Sequence, residues 1–435
     1  MEKRLKLILF TVIAVSLVLL GCSSKETKTN DSKDGPVTLK FMGWEASPLE
    51  TESVKNGIKK FEEIHPNIKV EYTPVPGDQY ASKLLTMMAG DAPPDVFFLG
   101  SVDYRAFQDR GVLLDLSTYF EKDLSIDDFI PSAADIMQID GNIYGVSSCT
   151  VSPVLYYNKE IFDEAGVPYP PSNPDEAWTW EEFASVAQDL TEKEGNKITQ
   201  FGTYGFETFA NTVAAIMEND GSIFNNDYSA VSMNSQQTKD VLEAILALKK
   251  NGVSPEAKLL EDSGMSASQM LQTGKIAMLI DGSWSLQQLS QMDFPVGVAA
   301  LPKFTQPVTN GQAHVHAASV NTKYPDEAWE FISFLSSEEY QIELISEGLW
   351  MPNRASLYTE EGIEKWFNET VHPDGFKELV PYFQAANVDP FAKIGKNQID
   401  DIMIEELDKF WYDDQPVEDV LSNIDRRVNE ELTKD

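Results

Sequence analysis

The chain reads as an α/β protein in two lobes, each a mostly parallel sheet flanked by helices, and three observations point there. Residues 37–99 alternate strand-like and helix-like hydrophobic periods. The middle of the chain repeats the alternation with more helix. Roughly 400 residues follow Val37, more than one hydrophobic core usually serves. No internal repeat and no second low-complexity linker interrupts them, so the lobes are expected to be joined by short ordered crossings.

Taken in order, Val37, Leu39 and Phe41 alternate as a strand. Ser47-Pro48 offers an N-cap followed by proline at the first helical position, and Val54, Ile58, Phe61 and Ile64 fall at helical spacing up to His65-Pro66-Asn67. Ile68, Val70 and Tyr72 alternate again, Tyr80, Leu84, Met87 and Met88 make a second helical stripe, and Asp95 to Leu99 is a continuous apolar run. This is βαβαβ, a pattern that places ligands beyond the carboxyl ends of the strands. Trp44 and Glu45 after the first strand, and Ser101 to Asp103 after the third, are therefore candidate ligand residues.

Further on, Thr179-Trp180-Glu181-Glu182 is a capping box with Phe183, Val186, Ala187 and Leu190 behind it. Val241, Leu242, Ile245 and Leu248 form another helical stripe. Gly274 to Asp281 reads as a buried strand leading into Gly282-Ser283-Trp284. Pro325 to Leu335 is helical, Ser336 to Glu339 caps a further helix, and two amphipathic helices close the chain around Ile402–Phe410 and Val417–Val428.

Before all this, Lys3, Arg4 and Lys6 precede an apolar run from Leu7 to Leu20 that ends in Leu19-Leu20-Gly21-Cys22. The run is shorter than the roughly 20 residues a membrane-crossing helix needs, so residues 1–21 read as a cleaved secretion signal. Ser23 to Pro36 lacks any large apolar side chain, and residues 22–36 are expected to be a disordered tether. With 34 Lys+Arg against 70 Asp+Glu the net charge is −36, which excludes nucleic acid as a partner and argues against a basic membrane-binding patch.

These segments together resemble an extracellular solute-binding protein of the maltose-binding type, the lipoprotein receptor of an ATP-driven importer. The resemblance rests on Val37 to Glu45, Ala89-Gly90-Asp91-Ala92-Pro93-Pro94-Asp95-Val96-Phe97, Ile143 to Val146, Leu155 to Lys159, Thr179 to Phe183, Gly274 to Trp284 and Gly348-Leu349-Trp350-Met351-Pro352, in the family's order. It covers essentially everything after the tether, while the leader's Leu-Leu-Gly-Cys resembles the bacterial lipobox. The resemblance implies a periplasmic-binding-protein-like fold with a first lobe of residues 37–148 plus 303–337 and a second of 149–302 plus 338–435. Crossings would lie near Val146 to Thr150, Ala299 to Lys303 and Ser336 to Glu339. It also implies a monomer, lipid-anchored through Cys22 to the outer face of the bacterial cytoplasmic membrane and served by two permease subunits and an ATPase. Lipidation of Cys22 would leave Cys149 without an intrachain partner.

The expected ligand is a mono- or oligosaccharide. Pyranose rings present apolar C–H faces and hydroxyl edges, which suit aromatic plates beside carboxylates, and this chain is 11% aromatic with 8 Trp. Trp44, Trp284 and Trp350 lie where the family builds its cleft, and Glu45, Ser101 and Asp103 are the candidate hydroxyl partners. Tyr204 and Phe206 occupy a stretch from which the second lobe often offers an aromatic, although a buried strand also fits it. His314 and His316 share a strand face; a third or fourth metal ligand is not evident, so no metal site or cofactor is expected, and His316 is a candidate sugar partner. The text near Gly311 departs from the glycine-rich pattern of the family.

Other ligand and activity classes leave the following alternatives. A polyamine would suit Glu45, Asp103 and tryptophan walls. Iron is disfavoured because Tyr156 and Tyr157, adjacent on a strand, point to opposite faces. A glycosidase needs paired carboxylates, but no nucleophile elbow, Walker loop or zinc-helix motif is present, so no enzymatic activity is expected. An adhesin reusing the fold is the remaining alternative.

Overall fold

The structure is a computed structural model that describes residues 35–434 except 46, 91, 257, 258 and 260–263. The signal segment, Cys22 and most of the tether lie outside the described residues. From Val37 onward the chain forms one compact unit that contains two principal sheets.

The first sheet has the order β13-β12-β3-β1-β2, with β6 also paired to β12. Its strands are β1 (Val37–Glu45), β2 (Ile68–Pro76), β3 (Val96–Leu99), β6 (Gly145–Val151), β12 (Asn310–Ala318) and β13 (Asn387–Val388). β1 runs parallel to β2 over its whole length, from Val37↔Ile68 to Glu45↔Pro76, and parallel to β3. This is the expected βαβαβ unit. Its first helix, Pro48–Ile64, starts where Ser47 accepts a hydrogen bond from the Glu50 amide, with proline at the first position. Val54, Ile58 and Phe61 are buried, whereas Ile64, the last helical residue, points into solvent. Tyr80 and Leu84 anchor the second helix, Gly77–Ala89, and all four residues of β3 are buried.

The second sheet has the order β11-β7-β10-β9-β8, from β7 (Pro153–Asn158), β8 (Glu192–Glu194), β9 (Lys197–Tyr204), β10 (Ile276–Gly282) and β11 (Val296–Ala299). The expectation of a mostly parallel sheet needs correcting here. Only β9 and β10 run parallel, while β7 is antiparallel to both β10 and β11. The cause is local: the chain leaves β6 at Val151 and enters β7 at Pro153, so β7 arrives from the first sheet without a helical crossover to set it parallel. A small hairpin, β4 (Gln138–Ile139) with β5 (Asn142–Ile143), precedes β6.

Two buried clusters fill the unit. One, with Phe41, Phe61, Phe97, Trp329 and Tyr340, fills the first sheet and its helices and reaches one face of the second. The other packs the opposite face of the second sheet against helices Gln236–Lys250, Asn397–Tyr412 and Val417–Leu432. Tyr156 belongs to the first cluster and Tyr157 to the second, as strand alternation requires. The Thr179/Glu182 capping box forms as read, with both reciprocal bonds present.

Candidate functional site

A cavity of about 230 Å³ opens where the end of β1 meets residues carried by the second sheet. Trp44, Glu45, Glu50, Phe98 and Trp350 line it from one side; Trp284, Val151, Gln312, His314 and Gly77 complete it. Four residues singled out in the sequence, Trp44, Glu45, Trp284 and Trp350, are thus gathered around one space.

The aromatic walls are positioned by ring contacts. Trp44 stands edge-on to Tyr80 at 5.6 Å, Phe98 at 5.1 Å and His314 at 4.9 Å. Trp350 lies nearly flat on Phe98, with centroids 5.9 Å apart and planes 14° apart. Its backbone has φ of 66°, a left-handed conformation costly for so large a side chain, so the surrounding structure must hold it there. Trp284 sits in the turn Ser283–Ser285 directly after β10, its ring against Gly282, where an added Cβ would come within 2.0 Å of the indole. Asp281 organises this turn by accepting bonds from the Gly282 amide and the Ser285 hydroxyl, at 2.8 and 2.6 Å. Burial raises the Asp281 carboxyl above its ordinary pKa.

The polar groups are few. Glu45 is half-buried, and its Oε2 accepts a 2.6 Å bond from Thr51 Oγ1. Glu50, in the first turn of helix 48–64, is 4% exposed and borders the cavity as well. Gln312 and His314 alternate on β12 and face the cavity. Burial lowers the His314 pKa to about 4, so the imidazole is neutral. Among the described residues that line the cavity there is neither lysine nor arginine.

The remaining candidates lie elsewhere, each for a physical reason. His316 sits deeper on β12, against Phe41 and Phe98 at 5.5 and 5.0 Å, and borders a smaller pocket of about 10 Å³ that shares Trp44, Glu50, Phe98 and Trp350 with the larger cavity. Burial takes its pKa down to about 3. Ser101 is buried and donates to Asp389 Oδ2 at 3.0 Å, and Asp103 accepts from Asn397 Nδ2 at 2.7 Å. Both therefore face the segment 389–397 and not the aromatic cavity, because the helix Ser101–Asp109 begins immediately after β3 and turns them toward it. Phe206 is core, edge-on to Trp180 at 5.1 Å and Phe183 at 5.5 Å. Tyr204 ends β9 half-buried, with burial raising its pKa in the company of Glu207 and Asp281, and it does not line the cavity. Among the described residues no three His, Cys, Asp or Glu side chains group as a metal site, and His314 Nδ1 instead lies 4.0 Å from Cys149 Sγ.

The sequence reading does not point to Glu50, Phe98 or Gln312 as cavity residues, and of the His314/His316 pair, either of which could meet a sugar, it selects His316 where the cavity is lined by His314. His314 and Gln312 carried a usable signal, since they alternate with His316 along one strand. Glu50 looked like an ordinary first-turn acid, and Phe98 like core.

The fold and site define a two-lobe α/β binding protein with an aromatic cavity between its sheets. The sequence model of bacterial extracellular solute-binding proteins matches residues 47–342, and the chain belongs to that family. It is similar to the ABC substrate-binding protein Lmo0181 of Listeria monocytogenes, solved with cycloalternan, at 26% identity and a TM-score of 0.81, covering 92% of this chain and all of the other. The galactooligosaccharide-binding protein of Bacillus subtilis is 23% identical over 364 residues, 81% of each chain. An uncharacterized lipoprotein in the oleD 5′ region of Streptomyces antibioticus is 33% identical over 181 residues, 41% of this chain and 38% of that one.

Proposed function

We propose that this protein is the receptor of an ABC importer that captures a neutral mono- or oligosaccharide between its lobes and delivers it to the membrane permease. The observation that carries the reading is the cavity itself: three tryptophans and Phe98 beside two carboxylates and an amide, with no lysine or arginine among its described lining residues. Indole faces suit the C–H faces of a sugar, while Glu45, Glu50 and Gln312 can accept from or donate to its hydroxyls. A phosphorylated or carboxylated sugar would find no lysine or arginine among the described lining residues to pair with. The proteins to which this chain is similar include ones solved with cycloalternan and named for galactooligosaccharide, which supports a carbohydrate ligand.

Capture is reversible hinge closure, and binding shifts the population toward the closed form by its differential affinity for it. No bond in the ligand is made or broken. Cys22 carries the lipid that anchors the chain outside the cytoplasmic membrane, and a permease pair and an ATPase receive the ligand. No helix among the described residues is long and apolar enough to cross a membrane.

A second reading keeps the site and changes the ligand: Glu45 and Glu50 beside tryptophans also suit a polyamine. Isothermal titration against maltotriose, arabinotriose, galactobiose and spermidine separates the two. Binding of an oligosaccharide with none of spermidine supports the first; the converse overturns it.

A further inference from the structure

We propose that residues 338–354, including Trp350, belong mechanically to the first lobe, and that Asn353 is the residue that positions them. The family resemblance alone would place everything after 337 on the second lobe. The contacts of this arm point the other way.

The helix Glu338–Ser346 is docked on helix 48–64. Tyr340 is buried with its ring over Gly57, so closely that a Cβ at that position would lie 2.2 Å from it. Lys60 Nζ pairs with Glu343 Oε2 at 2.9 Å, and Ser53 donates to Glu347. After the helix, Trp350 lies on Phe98 of β3, and Met351 exchanges two backbone bonds with Thr150 of β6, at 2.9 and 3.0 Å. Arg354 sits over the Phe129 ring, 4.4 Å from its centroid.

Asn353 is the node. It is fully buried, and its side chain donates to Ser147 Oγ of β6 at 2.8 Å while accepting from Gln341 at 2.6 Å. Its amide donates to the same Gln341, and its carbonyl accepts from the Ile130 amide at 2.8 Å. The side chain, amide and carbonyl of this one residue thereby tie the docked helix, the strained Trp350 turn and the first sheet together. Toward the second sheet the arm offers less. Gly348 passes close to the Gln287 backbone, while Gln287 itself donates to Ser53 of helix 48–64, at 3.1 Å, and not to the arm. From Asp374 the chain leans on that side, with Asp374 near Lys159 at 3.7 Å and Gly375 against Ser172.

The consequence for capture, which rests on the cavity reading above, is asymmetric. Trp44, Phe98 and Trp350 form a wall assembled before any ligand arrives, and Trp284 is the plate that the hinge brings in. The mechanical claim itself stands without any ligand.

Hydrogen exchange followed by mass spectrometry on the ligand-free chain tests it. Gln287→Glu, which sets a carboxylate against Glu347, and the bulkier Gln287→Trp are used to open the lobes, with a larger radius of gyration in small-angle scattering as the sign of opening. In the opened variants, peptides spanning 338–354 and 128–132 should exchange within about twofold of wild type. A rise of tenfold or more in step with the radius of gyration would overturn the proposal. Asn353→Ala should instead accelerate exchange in 338–354 at least tenfold without opening the lobes. It should also erase the near-ultraviolet dichroism that Trp350→Phe removes, a signal that general loss of stability would not single out. An Asn353→Ala protein that keeps both wild-type exchange and that band would show that Asn353 positions nothing.

Discussion

At the scale of single residues, Trp284 and Gly57 make the sharpest claims. Trp284 is partly exposed and rests on Gly282, so its removal takes away a stacking plate without opening a hole in the core. Trp284→Ala should weaken sugar binding tenfold or more, about 1.4 kcal/mol or above, while the melting temperature moves by only a few degrees; titration calorimetry and a thermal melt read the two effects separately. Gly57 presents the opposite situation. Alanine is ordinarily the better helix former, but here its methyl would enter the Tyr340 ring. Gly57→Ala should therefore lose about 1–2 kcal/mol in urea unfolding, since overpacking a dry contact outweighs the propensity gain. A variant as stable as wild type would mean that the ring can shift.

Among the elements, the pair of closing helices shows how a charge network supports a core. Glu406 is 2% exposed yet ionised, because Lys409 at 2.7 Å and Arg427 hold its carboxyl below the ordinary value. Arg427→Met should cost about 2 kcal/mol, visible in the denaturation midpoint, since a buried carboxylate then loses a charged hydrogen-bond partner. These helices, like the βαβαβ start and the Thr179 capping box, were legible in the sequence because a repeating apolar stripe and a local cap need only nearby residues. Strand direction in the second sheet was not, because β7 owes its orientation to a crossing at Ser152 and not to any pattern within it. The site divides the same way. Trp44, Glu45, Trp284 and Trp350 follow strands or familiar text, whereas the placement of Ser101 and Asp103 away from this cavity is not legible locally, because their partners, Asp389 and Asn397, lie almost three hundred residues away. Phe206 reads like a cleft aromatic until Trp180 and Phe183 are seen packed around it.

For the whole molecule, buried titratable groups set the pH response. Glu218 lies fully buried with no hydrogen-bond partner on either carboxylate oxygen, and burial raises it, Glu207, Asp281 and Asp389 above their ordinary values. Asp400 is pushed up to about 8 by burial and by Asp389, Asp401 and Asp103 around it. Unfolded carboxyls release their protons near pH 4, and these folded ones hold them longer. The native state thus binds more protons over that range, so each carries a stabilisation that is lost as pH rises through its folded value. His314 and His372, both lowered to about 4 by burial, act oppositely: unfolding takes up their protons below about pH 6.5, so stability falls as pH drops toward 4. Between pH 6 and pH 8, where the histidine contribution is nearly complete, the melting temperature should decline. Asp400→Asn should flatten that decline, raising the melting temperature more at pH 8 than at pH 6; an equal shift at both would assign the slope to other groups.

Cys149 carries a practical consequence. Sealed on β6, with burial holding its sulfur in the protonated state, it will ignore maleimides and other alkylating reagents while the protein is folded. Once the leader cysteine is blocked or deleted, a single new thiol placed on the outer surface becomes the sole point of attachment for a dye. The receptor then offers a ready scaffold for an optical sensor of its own ligand.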